Sequence, residues 1–337
     1  MRYVNLGSST LKVSRLALGC MSFGSSAWRP WVLDPEASLP LLQRAWELGI
    51  NFFDTANVYS TGRSEALIGQ FVRSLGAATR DSVVVATKLF YPVGEGEAGL
   101  SRRNVLASCD ASLARLGLDY IDLLQIHRWD PDVPIEETMG ALDELVRSGR
   151  VRFIGASNSR AWQLAKANFS ARAVGGAEFV SIQAHYNLLH REDERELLPL
   201  CIDQGIGVLP WSPLARGRLA RAAPATPSGS VRSGSDDTIA TLYGAAPDPV
   251  LDAVAAAATQ SGLTAAQVAI AWLAAKPGVV APLLGVTRAG QLEQAVAAVE
   301  HEMQAEQIAA LECAYTPRAY ADLPWTARNL TVLRAAR

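Results

Sequence analysis

Eight short apolar, β-branched runs recur along the chain, at 16–18, 51–53, 83–87, 121–126, 151–155, 179–182, 206–210 and 279–284. The first seven begin 27 to 38 residues apart, and an amphipathic stretch fills each interval. That spacing is the length of a βα unit, because a strand reaches a parallel neighbour only through a crossover, usually a helix. Eight such units predict a closed (β/α)8 barrel. Strand patterns alone leave a doubly wound open sheet as the alternative. Helices are predicted over 35–48, 64–75, 102–116, 135–147, 160–168 and 192–204, then an Ala-rich one at 249–260 and further helices toward the C-terminus. In the 135–147 stretch Met139, Leu142, Leu145 and Val146 fall at the spacing of one buried face. Before the eighth run lies an Ala/Pro/Ser/Gly-rich stretch, 222–235, which reads as an exposed, mobile loop. Residues 2–5 and 12–14 flank Gly7-Ser8-Ser9 and predict a hairpin over the barrel bottom. No composition shift marks a domain boundary.

Charge and cysteine usage exclude several classes. A net charge of −2 leaves no electrostatic footprint for nucleic acid or an anionic membrane. Cys20, Cys109, Cys201 and Cys313 lie far apart with no CxxC pair, which reads as reduced, cytosolic thiols. No run of 18 apolar residues and no N-terminal leader pattern occurs, so a cytoplasmic protein is expected. Of the 31 basic residues only Lys12, Lys88, Lys166 and Lys276 are lysines, so each lysine invites a reason.

In a (β/α)8 barrel the chemistry sits at the C-terminal ends of the strands. Reading those ends gives Asp54 with Tyr59 five residues on, Lys88, His127, Ser157-Asn158, Gln183, Trp211-Ser212, and Gly285 followed by Thr287 and Arg288. Asp54, Lys88 and His127 close three successive strands, and neighbouring strands are about 4.8 Å apart, so with Tyr59 they can meet. An adjacent ammonium stabilises a phenolate and would make Tyr59 a better proton donor. Asp54 can hold Lys88 charged, and His127 can donate to an oxygen on which negative charge grows. Taken singly, each has an ordinary reading: a turn aspartate, a packing tyrosine, a snorkelling lysine, a core histidine. Four at matched strand ends are harder to explain by chance. Thr287 and Arg288 open a predicted helix, 290–299, and a helix N-terminus with a hydroxyl and a guanidinium suits a phosphate. Trp28 and Trp31 after strand 1, Trp129 after strand 4, and Tyr59 could wall a pocket for flat or apolar carbonyls. Arg128 and Arg29 are the nearby cations, and Asp130 is placed to pair with Arg128.

The stretch from Asp54 to Tyr59 with Ser64-Glu65 and Gly69, Ala86-Thr87-Lys88, Asp122 to Asp130, and Ile154 to Asn158 resembles the aldo-keto reductase signature. Tyr186 to Leu189, Arg191-Glu192 and the segment from Trp211 to Gly217 resemble the bacterial aryl-alcohol-dehydrogenase-like branch. The resemblance covers roughly 1–316. It implies one barrel over 1–337, with extra C-terminal helices, a cofactor-side loop at 212–248 and a tail at 314–337. It further implies NADPH/NADP+ extended across the barrel mouth and reduction of small-molecule carbonyls. Tyr59 would be the general acid, His127 would orient the carbonyl, and Lys88 with Asp54 would tune Tyr59. Ser157, Asn158 and Gln183 would hold the nicotinamide carboxamide, and Trp211 would stack on its ring. Gly19, Met21, Asp54, Ser212, Leu214 and Gly217 would complete the cofactor path. Gly285, Thr287, Arg288 and Gln291 would surround the adenosine phosphate. Ala295 stands where many relatives carry an adenine-binding Asn.

Gly94 to Gly99 matches GxGxxG but does not directly follow its strand, and Glu95 and Glu97 would oppose a pyrophosphate, so a substrate-side loop is the better reading. His185 and His190 have no third ligand at a metal spacing and read as structural. A slow-turnover NADP(H)-binding regulatory subunit and a sugar-phosphate rearrangement on the same scaffold remain alternatives to a carbonyl reductase.

Overall fold

A computed structural model describes residues 1–94, 97–220, 236, 238–244 and 248–319. The Ala/Pro/Ser/Gly-rich stretch 222–235 and the tail from 320 onward lie outside the described residues. Eight parallel strands close into a barrel: β3 (Ala17–Gly19), β4 (Phe52–Asp54), β5 (Val84–Leu89), β6 (Ile121–Ile126), β7 (Val151–Ser157), β8 (Phe179–His185), β9 (Gly207–Trp211) and β10 (Leu283–Leu284). Strand β10 pairs with both β9 and β3, which rules out the open sheet. Helices α1 (Pro35–Glu47), α2 (Arg63–Ser74), α3 (Arg102–Leu116), α4 (Ile135–Arg147), α5 (Ala161–Ala173) and α6 (Leu197–Gln204) ring the outside. Helices Thr238–Tyr243, Pro249–Ser261, Ala265–Ala275, Ala289–Glu300 and Ala305–Cys313 follow. Ile135, Met139, Leu142 and Leu145 form the buried face of α4.

Three elements depart from the sequence reading, each for a local reason. The expected helix 192–204 breaks into a short turn, Glu192–Glu194, and α6. Pro199 has no N–H to give, so it must fall in the first turn of a helix rather than its interior. Helix α5 continues past Asn168 to Ala173, because the Asn168 side chain is turned onto Phe179: its amide donates to the carbonyl at 3.1 Å and its oxygen accepts from the N–H at 2.8 Å. The eighth strand shrinks to Leu283–Leu284, with one isolated bridge from Val208 to Val279. Pro282 cannot donate to a ladder and breaks the run between them.

Strand side chains alternate between the barrel interior and the helix layer. Ala17, Phe52, Val84, Ala86, Leu123, Leu209 and Leu283 share one buried cluster in the interior. Two residues further along, the same faces carry Gly19, Asp54, Lys88, Gln125 and Trp211. The interior is therefore apolar below and polar above. Gly155 belongs to this layer, and a Cβ there would lie 2.5 Å from Ser181 Oγ and 3.3 Å from Gln125 Cγ. Its missing side chain makes room for Gln125.

The bottom is sealed by a hairpin. Strand β1 (Tyr3–Asn5) pairs antiparallel with β2 (Lys12–Ser14), and Leu6 and Val13 join the interior cluster. Gly7 sits at φ +59°, where a Cβ would come within 2.5 Å of the Gly205 carbonyl. That approach lets Ser8 N–H donate to the same carbonyl at 2.7 Å. No helix among the described residues is long and apolar enough to cross a membrane.

Candidate active site

Four strands converge on the Asp54 carboxylate. Lys88 Nζ donates to Oδ2 at 2.5 Å and to the Thr55 carbonyl at 2.8 Å. Gln125 Nε2 and Gln183 Nε2 donate to Oδ1 at 2.9 and 3.0 Å. Lys88 is completely buried and Asp54 nearly so. Burial alone would lower the Lys88 pKa, but Asp54 and Tyr59 outweigh it and leave it raised, so the ammonium stays charged.

Tyr59 lies over this pair, with Lys88 Nζ 5.1 Å from its ring centroid. The phenol pKa is raised, not lowered: burial dominates, and Asp54 adds to it, against the downward pull of Lys88. Lys88 does favour the phenolate, as expected, but burial outweighs that pull. The phenol stays protonated throughout the neutral range. His127 meets Tyr59 edge-on at 5.9 Å and is held below its ordinary pKa by burial and by the charges of Lys88 and Arg128. It is a neutral imidazole, and its Nδ1 is buried without a partner among the described residues.

All six non-glycine residues with positive φ among those described, Ser60, Thr61, Asn158, Ser212, Ala215 and Arg216, stand in loops that leave the top of β4, β7 and β9. Such conformations cost roughly 1–3 kcal/mol each and collect where a site constrains the chain. Asn158 Nδ2 donates to Ser157 Oγ at 2.7 Å and to the His127 carbonyl at 3.2 Å, while its Oδ1 accepts from Trp211 Nε1 at 3.2 Å. Trp211 stacks one face on His185, at 4.1 Å and 10°, and His185 stacks in turn on His190. His185 Nε2 lies 2.7 Å from the Tyr243 hydroxyl. Both histidines serve packing, and among the described residues no cluster could hold a metal ion.

Gly19 pairs in register with Asp54, and Met21 lies partly exposed in the turn that follows. Beside Gly19, at the exit of the neighbouring β10, Gly285, Thr287 and Arg288 are exposed ahead of helix Ala289–Glu300. Gln291 Oε1 accepts from the Thr287 and Arg288 N–H groups at 2.8 and 3.1 Å, which caps the helix. Arg288 forms no ion pair among the described residues. Ser212, Leu214 and Gly217 are partly exposed in the segment that leaves β9, the strand next to β10. Arg216 between them pairs with Asp236. Ala295 is wholly buried in the core, facing no open site. The donor set fits a dinucleotide: an indole with one covered face, and a cation and hydroxyl at a helix start.

The aromatic residues divide. Trp28 packs 6.4 Å from Tyr59 and 6.5 Å from Trp31. Trp129 packs instead on Trp162, at 5.8 Å. Asp130 does not pair with Arg128: its carboxylate accepts from the Leu100 and Asp132 N–H groups. Arg128 Nε donates to the Tyr91 hydroxyl at 2.7 Å. Tyr91, whose ring meets His127 at 5.0 Å, and Gln125 are site residues that strand-end reading left without a role. Gln125 was visible in principle, since it follows Leu123 by two residues on the interior face. Tyr91 carried no such signal. Of the GxGxxG segment, 95–96 lie outside the described residues, and Glu97 helps line a cleft of about 300 Å³ with Asn57, Tyr91 and Arg103.

A closed parallel barrel carries a buried Lys–Asp pair, a tyrosine and a histidine at its mouth, a polar cluster on a (β/α)8 scaffold. The pattern of the aldo/keto reductase family matches residues 15–316, and the chain belongs to that family. The chain is 40% identical to versiconal hemiacetal acetate reductase of Aspergillus parasiticus, over 95% of this chain and 98% of the relative. It is 41% identical to an aldo-keto reductase of Metarhizium robertsii, over 94% and 91%. A Schizosaccharomyces pombe protein provisionally named an aryl-alcohol dehydrogenase is 40% identical over 94% and 96%. These relatives are fungal, so the expected bacterial affiliation draws no support from them.

Proposed function

We propose that the protein is an NADP(H)-dependent carbonyl reductase of the aryl-alcohol-dehydrogenase-like branch, converting small aldehydes and ketones to alcohols in the cytoplasm. The observation that carries this reading is the meeting of Tyr59 and His127 above the buried Lys88–Asp54 pair. Nucleic acid and membranes have no part in it. The chain acts as one barrel over 1–337, with 314–337 as a tail; the segment 212–248, expected as a loop on the cofactor side, holds a helical turn at Ala215–Ala220 and a helix at Thr238–Tyr243 among its described residues.

Ser157, Asn158 and the amide oxygen of Gln183 hold the nicotinamide carboxamide, and the open face of Trp211 takes its ring. Gly19, Met21, Ser212, Leu214 and Gly217 line the path to the phosphate shelf at Gly285, Thr287, Arg288 and Gln291. When bound, the dinucleotide supplies a hydride to the substrate carbon. Tyr59 and His127 take the carbonyl oxygen between them. As negative charge grows there, the Tyr59 hydroxyl gives up its proton. An alkoxide is a far stronger base than a phenolate, so the transfer runs downhill even from a phenol whose pKa is raised. Lys88 then stabilises the phenolate, and Asp54, fixed by Gln125 and Gln183, keeps Lys88 in place. Neutral His127 orients the oxygen by a hydrogen bond and leaves proton delivery to Tyr59.

Following NADPH absorbance over a panel of aromatic and aliphatic aldehydes tests the proposal. Turnover with NADPH well above that with NADH is the expected result. Failure to reduce any carbonyl, or rearrangement of a pentulose phosphate without NADPH, refutes it.

A further inference from the structure

We propose that the mouth of the site selects carbonyl substrates that carry a negative charge, aromatic aldehydes with a carboxylate foremost, and that Arg29 and Arg128 read that charge. The proposal rests on the carbonyl-reductase reading and adds to it the charge of the substrate.

The Arg29 guanidinium lies over the rings of both Trp28, at 4.6 Å, and Trp31, at 5.6 Å. Trp28 in turn packs against Tyr59. One indole therefore separates this cation from the proton donor. The other side of the mouth repeats the arrangement. Arg128 is held by the Tyr91 hydroxyl, and the Tyr91 ring packs edge-on against His127. Arg128 is close enough to His127 to help keep it neutral. Each of the two groups that grip the carbonyl oxygen thus has an aromatic ring beside it and an arginine beyond the ring.

A guanidinium resting on an aromatic ring is by itself ordinary packing. Here Asp54, Asp130 and Asp34 each hold partners other than these arginines. Asp54 holds Lys88, and Asp130 accepts from two backbone N–H groups. Asp34, in the same loop as Arg29, accepts from the Ser26 N–H and hydroxyl at 3.0 and 2.6 Å. Among the described residues neither Arg29 nor Arg128 forms an ion pair, and both are partly exposed. The substrate side of the mouth thus carries two partly exposed arginines, each beside an aromatic ring and neither in an ion pair among the described residues. A stacked guanidinium keeps its in-plane donors free, and that fork matches a carboxylate. The rings cover a flat hydrocarbon body and the arginines take its charged end. Because the contact exists before and during reaction alike, it lowers KM rather than raising kcat.

Steady-state kinetics with 4-carboxybenzaldehyde, its methyl ester and benzaldehyde test this. The acid is expected to show a KM at least about tenfold below that of the ester at similar kcat, an advantage that shrinks as salt screens the arginines. Arg29→Gln and Arg128→Gln should each cut the advantage at least about threefold, and the double variant should erase it. Arg29→Lys, which keeps the charge, should retain part of it and guards against a folding defect in the glutamine variant. An ester handled as well as the acid overturns the proposal, as does an acid preference that survives the double variant. If the wild type reduces all three with equal KM, charge selection alone is lost. If it reduces none of them or any other carbonyl, the reductase reading falls with it.

Discussion

The charged centre at Asp54 and the shelf at Thr287 and Arg288 stand at the same end of the barrel and are built in opposite ways. Around Asp54, both carboxylate oxygens and the ammonium are partnered within the protein and closed to water. On the shelf the backbone donors of Thr287 and Arg288 are spent on Gln291, while the guanidinium stands open. The difference teaches where each part gets its precision. On the proposed reading, the buried centre holds a proton donor and is organised before the substrate arrives. On the same reading the shelf grips a phosphate and can wait for it, because the phosphate supplies the counter-charge.

The sharpest way to break this contrast is Lys88→Met. It strands a buried carboxylate and should cost roughly 3–5 kcal/mol of stability in a urea titration, as well as turnover. Arg288→Ala should move the same titration by no more than about 0.5 kcal/mol. A small effect at Lys88 would mean the centre is not preorganised by that pair. Next in size, Tyr59→Phe should bind NADPH normally by fluorescence titration yet lower kcat for reduction at least about a hundredfold. A near wild-type rate would assign the proton to another group. On the shelf, Arg288→Ala should weaken NADPH binding about ten- to a hundredfold and leave NADH nearly unchanged. Equal losses would remove the phosphate from Arg288.

The smallest effect concerns acid. His127 is held below its ordinary pKa in the folded protein, so the unfolded chain binds the proton more readily. Its contribution is therefore steady above about pH 6.5 and is lost as pH falls below that value, by at most about 1.4 kcal/mol per pH unit. His185 and His190 are shifted the same way and add to the slope. Urea titrations of the wild type and His127→Gln between about pH 5 and 7 should show the wild type falling more steeply. Parallel curves would show that His127 is charged or exposed in the fold.

The barrel was legible because its period is a property of chain connection, and α3, α4 and β6 fall where the pattern put them. The meeting of Asp54, Tyr59, Lys88 and His127 was legible because strand ends announce which residues face the mouth. What escaped depended on contacts between segments distant in the chain. Pro199 and Pro282 changed two elements through missing donors. The sign of the Tyr59 shift needed the depth of burial, which no spacing reveals. Arg128 chose Tyr91 over the nearer Asp130, because the latter was claimed by the backbone of Leu100.

The hairpin that seals the barrel bottom also sets a timetable for folding. Its seat includes the carbonyl of Gly205. Arg15 donates to the Val279 carbonyl and Arg2 to that of Val299, contacts that span 264 and 297 residues. During synthesis the hairpin must wait, unpaired with its seat, until most of the barrel has emerged. Closing so long a loop is entropically slow, so the plug docks late. Until it does, the apolar floor formed by Phe52, Leu123 and Leu209 stands open from below, and that interval is when the chain is most exposed to aggregation.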